Sequence, residues 1–191
     1  MGAPNLPAGQ TPDWDTIPAP ADDGGADHLT GAQVASVPLV ATSGVVVNLA
    51  TVPGRTVVYI YPMTGAPGTE LPENWDNIPG ARGCTPQSCA FRDHYEELKT
   101  LGVDYIFGLS TQALEEQEEV VERLQLPYPV LSDRDLALAR AMSLPVFEAG
   151  GYTRLKRMAW IVEDGVIEKV FYPVFPPDQN AADVVDWLAK R

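Results

Sequence analysis

Two apolar, β-branched and aromatic runs constrain this chain most: Thr56-Val57-Val58-Tyr59-Ile60-Tyr61 and Val103-Asp104-Tyr105-Ile106-Phe107-Gly108-Leu109. Neither alternates polar with apolar residues as a half-exposed strand would, so both read as strands covered on two faces. Between them Phe91, Tyr95, Leu98 and Leu101 recur at helical spacing, and Gly102 ends the pattern, which predicts a helix over 85–101. Buried strand, helix, buried strand is the unit from which sheets with parallel neighbours are built.

The flanking segments extend that unit. Val45–Leu49 reads as a short strand, and Pro53-Gly54 turns the chain into the first buried run. Ser110 opens a second helix through Leu124, acidic on its outer face at Glu115, Glu116, Glu118 and Glu119. Pro127–Leu131 leads to Ser132-Asp133, which cap a short helix over 134–142. Met158–Val162 and Val166–Tyr172 form a strand pair turned at Asp164-Gly165, a strong hairpin signal. A last helix spans about 181–189. Crossovers followed by a terminal antiparallel hairpin give the fold class: α/β, with a mixed central sheet and helices on both faces, a thioredoxin-like layout.

Residues 1–28 carry no Lys or Arg and are rich in Pro, Gly, Ala and Asp. They read as an acidic tail, disordered or draped over a domain of residues 29–191, with Trp14 and Ile17 as its anchors. From Pro62 to Gly83 the chain is again dense in Pro and Gly, around Trp75. A loop of that length inside a domain tends to be functional.

The 191 residues hold two cysteines, in Gly83-Cys84-Thr85-Pro86-Gln87-Ser88-Cys89. Thr85 reads as a helix cap and Pro86 as the first helical residue. That places Cys84 at the positive end of a helix, where a thiolate, the reactive form, is favoured. On one helix, residues five apart are displaced by about 7.5 Å and lie roughly 140° out of phase. Their sulfurs then cannot bond until the first turn opens. Cys84 therefore reads as a redox nucleophile and Cys89 as a transient partner. Two inert buried thiols are the plain alternative, and a metal reading with Cys84, Cys89 and His94 fails on diverging directions.

GCTPQSCAFRD resembles the active-site segment of the peroxiredoxins, in particular the Q type, also called bacterioferritin-comigratory proteins. The resemblance runs over residues 30 to 190 and includes VVYIYP ending at Pro62, the Ser-Asp of PVLSDRD, and Arg157 leading into MAWIV. It implies a peroxidatic Cys84 and a resolving Cys89 joined in an intramolecular disulfide. It also implies that Arg157 steadies the thiolate and holds the peroxide oxygens, and that Pro62 shields the sulfur. The family pattern places Pro seven and Thr three residues before the reactive cysteine, where this chain has Asn77 and Ala81. A segment of roughly 66–80 is inserted there. The threonine role passes to Thr64, with Thr85 or backbone N–H groups as the alternatives, and Arg82 stands as a second cation near the sulfur. Arg154 and Lys156 compete with Arg157 by closeness in sequence, and Arg92 with Asp93 reads as a structural ion pair.

By resemblance the chain reduces hydrogen peroxide and organic hydroperoxides with no metal or organic cofactor, and thioredoxin or a glutaredoxin recycles it. A second reading is a redox sensor or binding protein that uses the same disulfide with little turnover. A net charge of −13 argues against nucleic acid and anionic membranes as partners. With no apolar run of about 20 residues, no visible secretory signal and too few cysteines for a disulfide scaffold, the expected compartment is the cytoplasm. The expected state is a monomer or weak homodimer.

Overall fold

A computed structural model describes residues 11–191. Among the described residues nine strands are present: β1 (Leu39–Ala41), β2 (Val46–Val47), β3 (Arg55–Ile60), β4 (Tyr105–Ser110), β5 (Val130–Ser132), β6 (Val146–Ala149), β7 (Tyr152–Leu155), β8 (Met158–Glu163) and β9 (Val166–Phe171). Five α-helices join them: α1 (Cys84–Asp93), α2 (Tyr95–Thr100), α3 (Leu114–Leu124), α4 (Ala137–Ala141) and α5 (Asn180–Ala189). Seven strands form one mixed sheet in the order β2-β1-β5-β4-β3-β8-β9. Strands β3, β4 and β5 run parallel, while β8 and β1 pair antiparallel to their neighbours. The α/β, thioredoxin-like expectation holds.

The two buried runs become the central pair β3 and β4, with Val57 opposite Ile106 and Ile60 opposite Leu109. Because strand side chains alternate, β3 feeds two cores. Val58 and Ile60 face one with Leu109, Leu131, Trp160 and Leu138 of α4. Val57, Tyr59 and Tyr61 face the other with Phe91 of α1, Leu98 of α2, Val120 of α3 and Leu188 of α5. Phe91 stacks on Tyr59 with ring centroids 4.6 Å apart and planes 6° from parallel, and burying each such side chain contributes roughly 1.5–3 kcal/mol. That contact bolts α1 to the sheet.

The predicted helix over 85–101 is two helices. Its chain bends at His94 (φ −93°, ψ 6°), and Leu98 and Phe91 still reach the same core. Strand β2 is shorter than expected, and β1 has too few residues to show a pattern. The β6–β7 hairpin forms a separate two-stranded sheet. Its turn is Gly150-Gly151, both with positive φ, and Ala149 pairs with Tyr152 across it. The Asp164-Gly165 turn also has two positive φ values, and a Cβ on Gly165 would lie 2.3 Å from the Ala50 carbonyl oxygen.

Of the acidic tail, residues 1–10 lie outside the described residues. The remainder packs on the domain. Trp14 donates from Nε1 to Asp178 at 3.3 Å and meets Phe175 edge-on. Asp23 accepts from both Lys156 and Tyr172 at 2.7 Å, and Ala26 is buried in the core.

Candidate active site

Helix α1 begins two residues earlier than its cap signal implies, with Cys84 rather than Pro86 as the first helical residue. The cap is Gly83 at φ 117°, and its carbonyl accepts the first helical bond from Gln87 N at 3.0 Å. Only glycine adopts that φ without strain. Space demands it too, because a Cβ there would sit 2.5 Å from Pro177 Cγ and 2.9 Å from Trp14 Cη2. Thr85 and Pro86 fall inside the first turn, where the missing proline N–H costs no helical bond.

Cys84 is buried, 4% exposed, and both cysteines are free thiols. Its sulfur lies 3.7 Å from the Ala81 carbonyl and receives an N–H from Arg157 Nη2 at 3.2 Å. The helix dipole and this guanidinium both favour negative charge on the sulfur. Arg157 is itself buried, with both terminal nitrogens bonded and Nε left without a partner among the described residues. Nη2 donates to Ala81 O at 2.9 Å and Gly80 O at 3.3 Å, and Nη1 donates to Gln87 Oε1 at 2.6 Å. Gln87 in turn donates from Nε2 to Asn180 Oδ1 at 2.9 Å. The amide chain fixes the guanidinium in one orientation, so it meets the sulfur without searching rotamers.

The rival basic residues are placed elsewhere. Lys156 pairs with Asp23. Arg154 lies over the Tyr152 ring at 4.8 Å and lines a different pocket. Arg82 does line the cavity at Cys84, in a buried ion pair with Asp76 at 3.3 Å.

That cavity has a volume of about 20 Å³, and Thr64, Gly83, Cys84, Thr85 and Pro86 form part of its wall. Thr64 thus reaches the cysteine's chamber across the inserted segment. Its hydroxyl donates to Gln112 Oε1 at 3.2 Å, and its backbone N–H and carbonyl also bond that amide. Pro62 is buried at the end of β3 but is not among the lining residues.

Cys89 shares α1 with Cys84 and is half-buried. Burial pushes its thiol above the usual range, with the nearby Arg92 charge opposing. Just before it, the Ser88 carbonyl accepts from Tyr128 Oη at 2.9 Å, and Tyr59 Oη bonds Tyr128 Oη at 2.9 Å. Burial raises both phenols, so they stay neutral donors. Arg92 pairs with Asp93 at 3.0 Å and also donates to the Leu124 carbonyl at 2.8 Å. His94 faces Glu97.

Gln87 and Asn180 escaped the sequence reading. Gln87 stands three residues after Cys84, on the same helix face, so spacing was a usable signal. Asn180 is 93 residues from Gln87 and carried none.

The Redoxin family matches residues 17–186. Peroxiredoxin Bcp of Escherichia coli K12 is 31% identical over 150 residues, covering 76% of this chain and 85% of the relative. The chloroplastic peroxiredoxin Q of japonica rice is 29% identical over 147 residues, covering 76% of this chain and 59% of the relative. Among solved structures, peroxidoxin BcpB of Mycobacterium tuberculosis superposes with a TM-score of 0.67 at 25% identity, over 85% of this chain and 98% of that one. A Xylella fastidiosa PrxQ cysteine-to-serine mutant gives the same TM-score at 17% identity, over 85% of this chain and 97% of that one, a likeness of fold.

Proposed function

The chain belongs to the Redoxin family, among its Q-type peroxiredoxins, and from that premise we propose that Cys84 is the peroxidatic cysteine and Cys89 its resolver. Peroxiredoxins are thiol peroxidases. The observation that carries the assignment is the Arg157 guanidinium 3.2 Å from the Cys84 sulfur at the first residue of α1.

The Cys84 thiolate attacks one peroxide oxygen in line with the O–O bond. A new S–O bond forms, the O–O bond breaks, and the leaving oxygen takes a proton to depart as water or an alcohol. Cysteine is oxidised to sulfenic acid. As negative charge shifts onto the leaving oxygen, Arg157 is placed to follow it. Thr64, in the chamber wall, is placed to exchange its bond to Gln112 for one to the peroxide. Pro62, behind that wall, backs the loop that carries Thr64.

Resolution needs a change of shape. With α1 intact the two sulfurs diverge, so the first turn unwinds while Phe91 and the Tyr128–Ser88 bond hold the rest of the helix on the sheet. The Cys89 thiol then displaces the sulfenic hydroxyl as water and forms the 84–89 disulfide. An external dithiol of the thioredoxin or glutaredoxin type reduces it by thiol–disulfide exchange.

Stopped-flow oxidation of the reduced protein by hydrogen peroxide, with thioredoxin and its reductase for turnover, tests the reading. Reaction is expected to be far faster than with free cysteine and lost in Cys84→Ser. In Cys89→Ser the first oxidation persists and the sulfenic acid accumulates. Mass spectrometry of oxidised protein without an 84–89 disulfide would remove Cys89 from the resolving role. Fast oxidation without catalytic turnover would instead favour the sensor reading.

A further inference from the structure

The inserted segment contributes two side chains, Leu71 and Trp75, to the wall of the sulfur's chamber, which Gly83, Cys84 and Thr85 also line. We propose that these two side chains are a selectivity gate, which admits hydrogen peroxide to Cys84 and holds back hydroperoxides with a bulky organic group. The proposal rests on the peroxidatic reading of Cys84 given above.

Volume is the first argument. The chamber offers about 20 Å³, against roughly 10–15 Å³ of the same measure for a single water. Two bonded oxygens fit, and a branched or aromatic carbon skeleton does not. Space for such a skeleton lies next door, in a pocket of about 640 Å³ lined by Pro72, Gln112, Tyr152 and Arg154 among others. Met63, Thr64, Gly65 and Leu71 line both cavities. Leu71 is the one of these four contributed by the insert, and it stands where an organic group would have to pass.

Stiffness is the second argument. Trp75 is 2% exposed and packs with Ala81 and Ala149, and around them lie Met63, Leu71, Ile78 and Phe147. Its ring lies 6.0 Å from that of Phe147 on β6. The buried Asp76–Arg82 ion pair ties the 3-10 turn at Trp75–Asn77 to the residue two before Cys84. Lifting Trp75 would break this cluster and disturb Arg82 with it. Leu71, half-buried at the edge, is the part that can be trimmed without emptying the cluster.

The test is the second-order rate of Cys84 oxidation by hydrogen peroxide, tert-butyl hydroperoxide and cumene hydroperoxide, read by stopped-flow fluorescence. In the native chain the rate is expected to fall as the organic group grows, with cumene hydroperoxide at least about tenfold slower than hydrogen peroxide. Leu71→Ala should raise the ratio of the cumene rate to the hydrogen peroxide rate at least about fivefold, and Leu71→Trp should lower it. A variant that merely loosens the fold slows both peroxides and leaves the ratio alone. Equal native rates for the two peroxides, or a ratio that Leu71→Ala does not move, overturn the gate while the peroxidase stands. Hydrogen peroxide reacting no faster than with free cysteine overturns the peroxidatic reading and the gate with it.

Discussion

Cys84 and Cys89 lie on one helix and meet opposite environments. Cys84 is 4% exposed yet receives a guanidinium N–H and sits at the positive end of α1. Cys89 is half-exposed, a turn and a half further on, and burial raises its thiol. Burial alone disfavours a thiolate. The more buried sulfur is nonetheless the one that faces a cation, because Arg157, 73 residues away in the chain, reaches it at the helix start. Exposure does not identify the nucleophile here; the groups facing the sulfur do.

The comparison breaks most visibly at Arg157. Replacing it with methionine removes the donor that separates the two sites and should slow Cys84 oxidation by about 10²–10³-fold, the usual cost of one oxyanion donor. Arg157→Lys should recover little, since a point charge cannot bond Gln87, the Gly80 and Ala81 carbonyls and the sulfur together. If Arg157→Met oxidises at the native rate in stopped flow, the two cysteines differ by something other than this cation.

Gln87→Leu attacks the same contrast one step removed. It leaves Arg157 present but unheld by its amide, and it should lower the oxidation rate about tenfold, the lower range for lost support of a functional group. Restoring the amide with a shorter side chain, Gln87→Asn, should not rescue it, because the 2.6 Å bond to Arg157 and the 2.9 Å bond to Asn180 are both set by length. A thermal melt that falls while the oxidation rate stays native would reduce Gln87 to packing.

The smallest effect sharpens the other side of the comparison. In Cys84→Ser the remaining thiol is Cys89, and burial leaves it less ionised than a free cysteine at the same pH. Its alkylation by iodoacetamide should therefore be slower than that of free cysteine at a given pH and should climb only at higher pH. A profile matching free cysteine would show that α1 opens readily even in the reduced protein.

Much of this frame was legible in the chain. Val57–Tyr61 and Tyr105–Leu109 announce buried strands because they lack alternation, and Asp164-Gly165 announces its hairpin because the turn requires two positive φ values. The same logic applied to Gly150-Gly151 would have found β6 and β7, but their strands mix Glu148, Thr153 and Arg154 with apolar residues and show no clean period. The cap signal lies two residues past the real start of α1 for a local reason. Thr85-Pro86 imitates a cap, whereas the real cap is a glycine chosen by Pro177 and Trp14, which no window around Cys84 contains.

Sequence by itself determined the central strands, the terminal hairpin and the phase that keeps two cysteines five apart from bonding within one intact helix, since these depend on dihedral preference and helical phase. That Cys84 itself opens the helix came from the tertiary structure. Which arginine serves the sulfur was decided by the tertiary structure. Met158 pairs with Ile60, so Arg157 stands at the end of β3 beside the loop that carries the helix start. Arg154 and Lys156, one to three residues away, are turned to Tyr152 and Asp23. Tertiary structure also brought Leu71 and Trp75 of the insert, with Thr64 before it, to the wall of one chamber. Such neighbours depend on strand register and packing between residues far apart in the chain, and a local pattern holds no record of either.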